Sequence, residues 1–395
     1  MSDIVAGELN QITQIDNTLG WRANGVGHIL GQTAFEREAQ AAQIAALLNA
    51  DVVIYGVVRS DGIYNIFEPE FYITAEFASI EPELVGADTL GRPVEFVGNS
   101  EDQIVAANTF QRRLGVLRHF LRGLAFYLAG NFEGAQVSFD QALAIESDGL
   151  EILYVFAGNA TVRIPNADAA LAYYNSALVA RPGYARALVG RGIALYRMAL
   201  DAGGENPPAY DPELSLSLQV SCGDVASPLP EPAQLLGELA LRCYREARSS
   251  SDQPETADID VKVAFGLGQT SLWLSIHGYG DHWHDVQAQL SLVLALYEES
   301  PDERKMRIRA AAAHASAWLG LRLLTLDGNN ATSVCEALSD YRTAVALLRL
   351  DVNRDYNQRW IDIYGQQIGA LEDWLSVRTN ACMESTPPFV NENSR

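Results

Sequence analysis

Residues 123–148, with the sequence GLAFYLAGNFEGAQVSFDQALAIESD, determine how most of this chain is expected to fold. Small and aromatic residues alternate there at steps of three, four or five: Gly123, Phe126, Gly130, Ala135, Phe139 and Ala142. This spacing predicts two helices that cross closely, because a small residue on one helix admits a ring from the other. The break between them is expected at Gly130-Asn131, since a helix often ends in a left-handed conformation that glycine adopts easily.

The pattern recurs with a period close to 34 residues. Gly158 follows Gly123 by 35 residues, and Gly192 follows Gly158 by 34. The second helix of each later unit carries a small residue, a large one and alanine at steps of four and three: Ala170, Tyr174 and Ala177; Ala240, Tyr244 and Ala247; Ala288, Leu292 and Ala295; Ala337, Tyr341 and Ala344. A period of this length predicts an α-solenoid of stacked helix pairs, with an irregular helical array as the alternative.

These residues resemble the tetratricopeptide repeat (TPR) family over about residues 116–351. The resemblance implies a mainly α fold, a right-handed superhelix of about five helix-turn-helix repeats. Repeats one and two follow the pattern clearly, whereas repeats three to five have longer connections. Proteins of this family bind protein segments on their concave face, so the resemblance implies a non-enzymatic scaffold or adaptor, of the kind found in bacteria.

A small acidic α/β domain is expected before the repeats, over residues 1–100. Thr33 and Glu36 form a capping box in front of a helix. The following segment DVVIYGVVRSDGIYNIFEPEFYITAEF predicts a strand, a turn at Asp61-Gly62, a second strand, and a third strand after Pro69. Residues 33–77 resemble the TolB amino-terminal and curli-secretion type of domain, and residues 78–99 are expected to be irregular.

Residues 101–378 are predicted to form the solenoid. One long helix is expected over about 101–129, beginning at a capping box of Ser100 and Gln103. A segment rich in Gly, Pro and Ser at 201–232 interrupts repeat three, as a tolerated insertion or as a loop that docks a partner. A capping helix is expected at 354–378 and a disordered tail at 379–395.

The TPR resemblance places the first helix of each repeat on the concave face. The residues it places in a partner-binding groove are Asn159, Arg163, Arg186, Arg197, Lys262, Gln269 and His314. Their positive charge favours an acidic or carboxylate-ended peptide, with simple solvation of the groove as the alternative. The five-residue carboxylate clamp of the family's chaperone-binding members keeps only Asn159 and Lys262 here, so binding of chaperone tails is not expected.

The first helix of repeat one differs from the others, because it presents an apolar face. The residues of that face are Leu117, Phe120, Leu121, Leu124 and Tyr127. Such a face is rarely left in water. We therefore expect the front domain to pack on it.

The densest set of metal-ligating side chains lies in the sequence HGYGDHWHD. It contains His277, Asp281, His282 and His284, which could ligate a divalent ion in a metal-dependent hydrolase. The spacing is not that of HExxH, and phosphate-binding and nucleophile-elbow motifs are absent from the sequence. The chain is therefore expected to be no enzyme and to need no cofactor. A third hypothesis makes the front domain the sensor of a ligand.

Charge and cysteine content restrict the partners and the compartment. Residues 1–110 carry 16 acidic side chains and 4 arginines, so they contribute −12 of the net charge of −22. This opposes binding to nucleic acid or to an anionic membrane.

Cys222, Cys243, Cys335 and Cys382 are dispersed and predict reduced thiols. With no leader or membrane span in the sequence, a cytoplasmic location is expected, or an extracytoplasmic one if a leader was trimmed.

Overall fold

The chain is mainly α-helical, with one small antiparallel sheet near its N-terminus. The computed structural model describes residues 22, 28–60, 65–74, 82–96, 108–164, 166–203, 221–222, 232–250, 259–296, 331–350 and 354–377. It divides into two compact units. The first comprises residues 1–206 and 216–259, and the second comprises residues 207–215 and 260–395.

In the described part of the front domain, the first helix is α1, Ala34–Leu48. Its capping box is formed as expected: Thr33 Oγ1 accepts from the Glu36 N–H, and the Glu36 carboxylate accepts from the Thr33 N–H. Asn49 closes the helix in a left-handed conformation. These two caps satisfy backbone groups that a helix end otherwise leaves unpaired.

Four strands follow α1 and form one sheet. Strands β1 (Val52–Ser60) and β2 (Asn65–Ile73) make an antiparallel hairpin, and β3 (Gly86–Thr89) and β4 (Val94–Phe96) both pair with the far side of β2. The predicted turn at Asp61-Gly62 lies outside the described residues. The expectation that residues 78–99 are irregular was wrong, because β3, β4 and the 3₁₀ turn Pro82–Leu84 lie there.

The prediction that Pro69 separates two strands was also wrong, because β2 runs through it. The partner of Pro69 on β1 is Gly56. On its other side, Pro69 lies between Glu70, which pairs with β3, and Phe67, which pairs with β4. Its nitrogen therefore faces away from β1, on the side where Leu90 donates to the Pro69 carbonyl just past the end of β3, so the proline removes no hydrogen bond from the β1–β2 ladder.

The sheet lies between α1 and the first helix of the repeats. On one face, Tyr72 packs with Ala41 and Ala45 of α1. On the other face, the ring of Phe71 lies 5.0 Å from that of Phe120. Both faces are covered, so Tyr72 is buried on one face and Phe71 and Ile73 are buried on the other.

Helical hairpins make up the rest of the first unit. Their helices are α2 (Asn108–Leu128), α3 (Phe132–Ile145), α4 (Glu151–Arg163), α5 (Ala167–Ala180), α6 (Ala185–Gly203) and α7 (Ala233–Ser249). Each helix packs on the next, and α4 also contacts α6. This nearest-neighbour packing is that of TPR-like repeats, as the spacing predicted. Residues 101–107 of the expected long helix lie outside the described residues.

Glycines allow the close crossing that the sequence pattern requires. The ring of Tyr174 on α5 rests against both Gly158 on α4 and Gly190 on α6. A Cβ atom at Gly158 would stand 2.6 Å from that ring, well inside van der Waals contact. The same relation joins Gly192 to Tyr244 on α7, so an aromatic ring meets a glycine at these crossings.

A disulfide bond fixes the end of the insertion in repeat three. Helix α6 ends at Gly203 and α7 begins at Ala233, so the first three residues of the predicted insertion, 201–203, belong to α6. Within it, Cys222 is bonded to Cys243 of α7. The Cys222 N–H also donates to Glu246. The expectation of reduced thiols is therefore corrected, and Cys335 is disulfide-bonded as well.

The second unit contains four described helices. In repeat four, α8 (Ile259–Ile276) packs on α9 (Trp283–Leu296) through a cluster that includes Ala264 and Leu290. Helices α10 (Ala331–Leu350) and α11 (Arg354–Ser376) share another cluster around Tyr341 and Tyr364. Helix α11 matches the expected final helix. The first helix of repeat five and the predicted tail lie outside the described residues.

Among the described helices, none is both long enough and apolar enough to cross a membrane.

Candidate functional site

Arg186, near the start of α6, is the central residue of the surface on which the repeats hold the front domain. Its side chain is fully buried. One guanidinium nitrogen donates to Oδ2 of Asp88 at 3.0 Å, and the other donates to the carbonyl oxygen of Val85 at 2.9 Å. Arg186 therefore binds a carboxylate and a backbone carbonyl of the same extended segment, three residues apart.

Two further side chains surround the Asp88 carboxylate. The hydroxyl of Tyr184 donates to Oδ2 at 2.6 Å. Arg181 lies 3.7 Å from Oδ1 and stacks over the Tyr184 ring. Burial, followed by the negative charge of Asp88, raises the pKa of the Tyr184 hydroxyl well above its usual value. Tyr184 thus stays a neutral hydrogen-bond donor to the carboxylate.

Asn159 on α4 holds a second acidic residue of the front domain. Its amide nitrogen donates to Oε1 of Glu83 at 3.2 Å, and its carbonyl oxygen accepts from the hydroxyl of Tyr174 at 2.7 Å. All three side chains are buried. Asn159 therefore connects the core of repeat two to the front domain.

A third set of contacts lies on repeat one. Arg113 of α2 donates to the carbonyl oxygen of Arg92 and lies 3.1 Å from the Glu146 carboxylate. Its guanidinium group occupies the space that a Cβ atom at Gly91 would need, and Gly91 has φ +92°. Together with the Phe71–Phe120 contact, this confirms that the front domain packs on the apolar face of repeat one.

These contacts show which chemical groups of the front domain the repeats of the first unit bind. Helices α4 and α6 bind the segment 83–88 through two acidic side chains and one main-chain carbonyl. Two of the predicted groove residues, Asn159 and Arg186, are thereby engaged within the chain itself. What they contact is an acidic extended segment, the chemistry expected of an external partner.

The remaining predicted groove residues are distributed over both units. Arg163, the last residue of α4, is half-buried, and Arg197 on α6 is exposed. Each follows the glycine of its own repeat, Gly158 or Gly192, by five residues, so the two occupy equivalent positions. In the second unit, Lys262 and Gln269 are both half-buried on α8. His314 lies outside the described residues.

The histidine-rich segment does not gather its side chains around one point. A ring nitrogen of His277 donates to the carbonyl of Trp273 at 2.8 Å, and one of His282 donates to the carbonyl of Tyr279 at 3.1 Å. Asp281 accepts from the N–H of Trp283. In the part of the chain that the structure describes, no three His, Cys, Asp or Glu side chains are grouped to hold a metal ion. The geometry therefore gives no support to the hydrolase hypothesis.

Sequence reasoning missed three residues of this surface: Glu83, Asp88 and Tyr184. The acidic residues lie in the segment that was expected to be irregular. Tyr184 precedes α6 and belongs to no repeat position that the spacing marks. The available signal was indirect, namely the prediction of Arg186 in a groove whose positive charge favours a carboxylate.

Comparisons with known proteins find matches among solved structures. No family model and no curated protein matches this chain. Among solved structures, the TPR domain of P58(IPK) is 13% identical, over 71% of this chain and 72% of that one, with a TM-score of 0.25. An overlap this low carries no argument, so the description of the repeats rests on their helix packing.

Proposed function

We propose that this chain is a non-enzymatic protein-binding scaffold whose repeats bind an acidic, extended protein segment. The observation that supports this is the contact of Arg186 with the Asp88 carboxylate and the Val85 carbonyl. A side chain that binds one extended segment of its own chain in this way has the geometry to bind an external one. The proposal assigns external binding to the predicted groove residues other than Asn159 and Arg186, which hold the front domain.

Arg163 and Arg197 form the proposed first binding site. They occupy equivalent positions on α4 and α6, two helices in contact. Packed helices lie about 8–10 Å apart. An extended peptide of the polyproline II type advances about 3.1 Å per residue and returns to the same face every three residues, so two carboxylates three residues apart would match these two cations.

Lys262 and Gln269 form a proposed second site on α8. Seven residues separate them, which is close to two helical turns, so both lie on one face of the helix. A cation and an amide at this spacing can bind one carboxylate and one main-chain carbonyl of a peptide. His314 completes the predicted groove residues and belongs to the same proposal.

Charge alters how the partner approaches. The protein carries a net charge of −22, so an acidic peptide is repelled at long range and attracted only near the arginines. Moderate salt should therefore change affinity less than in a protein with a uniformly basic surface. High salt should weaken binding, since it screens the short-range pairs at the exposed Arg197 most.

The test is binding of a fluorescent acidic peptide, with carboxylates three residues apart, measured by anisotropy. Replacement of both Arg163 and Arg197 by glutamate should lower affinity by at least about tenfold, or about 1.4 kcal/mol. The matched control is Arg248→Glu, which makes the same kind of charge change on the exposed surface of α7. Equal binding by the double variant and the wild type would refute the site.

A sensor role for the front domain has one specific observation in its favour. The segment 83–88 is joined to α4 and α6 by buried hydrogen bonds. A ligand that shifts this segment would therefore act directly on the repeats. Hydrogen exchange of α6 peptides, with and without a candidate ligand, would test this second proposal, which unchanged protection would contradict.

We also propose that the chain folds in an oxidising compartment. Cys222, Cys243 and Cys335 are all disulfide-bonded. Structural disulfides persist outside the reducing cytosol and are rare within it. This favours the extracytoplasmic alternative over the cytoplasmic one.

A further inference from the structure

Strand β1 has one edge that the described part of the chain does not pair. The sheet order places β1 at an edge, with β2 as its neighbour. The N–H of Thr74 donates to the carbonyl of Asp51, so Asp51 and its partner exchange hydrogen bonds across the ladder. Pairs of this kind alternate in an antiparallel ladder, so residues 51, 53, 55, 57 and 59 face β2. The backbone groups of Val52, Ile54, Gly56 and Val58 therefore point away from the sheet.

This edge lacks the features that usually protect a free strand. Natural edge strands are commonly short, or carry a charge, a proline or a bulge. Strand β1 has nine residues and pairs with β2 without interruption, and residues 52–58 contain neither charge nor proline. Val58 is 57% exposed and Gly56 is exposed as well. An edge of this kind is a site for another strand.

The sequence of β1 is complementary to itself. In an antiparallel pair centred on Tyr55, Val52 lies opposite Val58 and Val53 lies opposite Val57. The same register places the carboxylate of Asp51 opposite the guanidinium of Arg59, once at each end. A shift of the centre by one residue in either direction removes both of these charge pairs.

The hydrogen-bonding pattern agrees with this register. Even-numbered residues point outward, and a centre at Tyr55 places even-numbered residues opposite even-numbered residues. These become the hydrogen-bonded pairs, and they provide about eight backbone hydrogen bonds. Asp51 and Arg59 then form a non-hydrogen-bonded pair, in which opposite side chains lie closest.

We propose that two copies of this chain associate through β1, antiparallel and centred on Tyr55, so that one sheet runs through both. Each exposed Val58 then packs beside Val52 of the second copy. Arg59 already pairs with Glu68 on β2 at 3.0 Å, so its guanidinium is oriented within the sheet before association. A foreign strand could use the same backbone groups, but only the chain itself supplies the matching charges at both ends.

The first test is the mass of the full chain across a concentration series by sedimentation equilibrium. The expected result is a shift from 43.1 kDa toward twice that mass. Val58→Pro removes an outward-facing N–H without touching the ladder to β2, and it should raise the dimer dissociation constant at least about tenfold. Val58→Thr keeps the N–H and the β-branched shape, so it is the matched control. A wild-type chain that stays at 43.1 kDa throughout would overturn the proposal.

The second test fixes the register and does not depend on how the proline variant folds. Asp51→Arg or Arg59→Asp alone places like charges opposite each other at both ends, so each variant should dimerise at least about tenfold more weakly. An equimolar mixture restores both opposite-charge pairs and should form mixed dimers, detectable by native mass spectrometry with one isotopically labelled chain. If all of these variants dimerise with the dissociation constant of the wild type, the interface lies elsewhere and pairing through β1 is refuted.

Discussion

Replacement of Arg186 by methionine should separate the front domain from the repeats. The guanidinium is fully buried and satisfies the Asp88 carboxylate, which is 10% exposed, and the Val85 carbonyl. Methionine retains much of the apolar volume but leaves a buried charge without its main partner. Removal of one member of a buried pair costs about 3–5 kcal/mol. We expect the local opening free energy of this surface to fall by that amount.

Hydrogen exchange followed by mass spectrometry measures that opening at peptides covering residues 82–96. Arg181→Met is the matched control, because Arg181 approaches the same carboxylate at 3.7 Å but is 39% exposed. It should lower the opening free energy by only about 1 kcal/mol or less. Asp88→Asn combined with Arg186→Met should cost less than the sum of the two single changes, since they remove one shared interaction. If the effect of Arg186→Met does not exceed that of Arg181→Met, the buried pair does not hold the front domain.

Three further predictions concern packing, the disulfide and alkaline pH. Gly158→Ala should destabilise the first unit by about 1–3 kcal/mol in urea denaturation, because the added carbon meets a tyrosine ring. The control Gly365→Ala has no atom within 4 Å and should be neutral or stabilising. Replacement of Cys222 and Cys243 by serine should lower the unfolding free energy by about 3 kcal/mol, and denatured, unreduced wild type should expose neither thiol to titration. Burial raises the pKa of Tyr341 to about 12, so its neutral form contributes stability that is complete below the ordinary value of 10.0 and is lost as pH rises toward 12. Tyr341→Phe should reduce that alkaline loss, measured as the change in melting temperature with pH.

Local signals were sufficient to predict many individual elements. Thr33 and Glu36 lie three residues apart, and the capping box between them forms as predicted. Gly130 has φ +73°, as the break between α2 and α3 required. These outcomes depend on residues close together in the sequence. The geometry of a single helical turn is almost enough to determine how such residues contact each other. The spacing of glycine and aromatic residues in repeats one to three could also be read, because a glycine on the first helix meets a ring on the second in each of them.

Long-range partners could not be read from the sequence in the same way. Nothing in the residues around Asp88 indicates that its carboxylate meets Arg186, 98 positions later. The continuation of β2 through Pro69 likewise depended on a gap between two strands that arrive later in the chain. The predicted groove illustrates the same limit, because Asn159 and Arg186 lie on the expected helices but are engaged by the front domain.

The sequence by itself determined the helical hairpins of the described repeats, their period and the first helix and first strand of the front domain, because each depends on side chains within a few helical turns or along one strand. Only the tertiary structure decided which surface of the repeats is occupied, which cysteines are joined and which edge of the sheet is open. Those features depend on the distance between segments far apart in the chain. Their stability depends on whether the particular charges and backbone groups removed from water find partners, and a linear pattern does not record which groups meet.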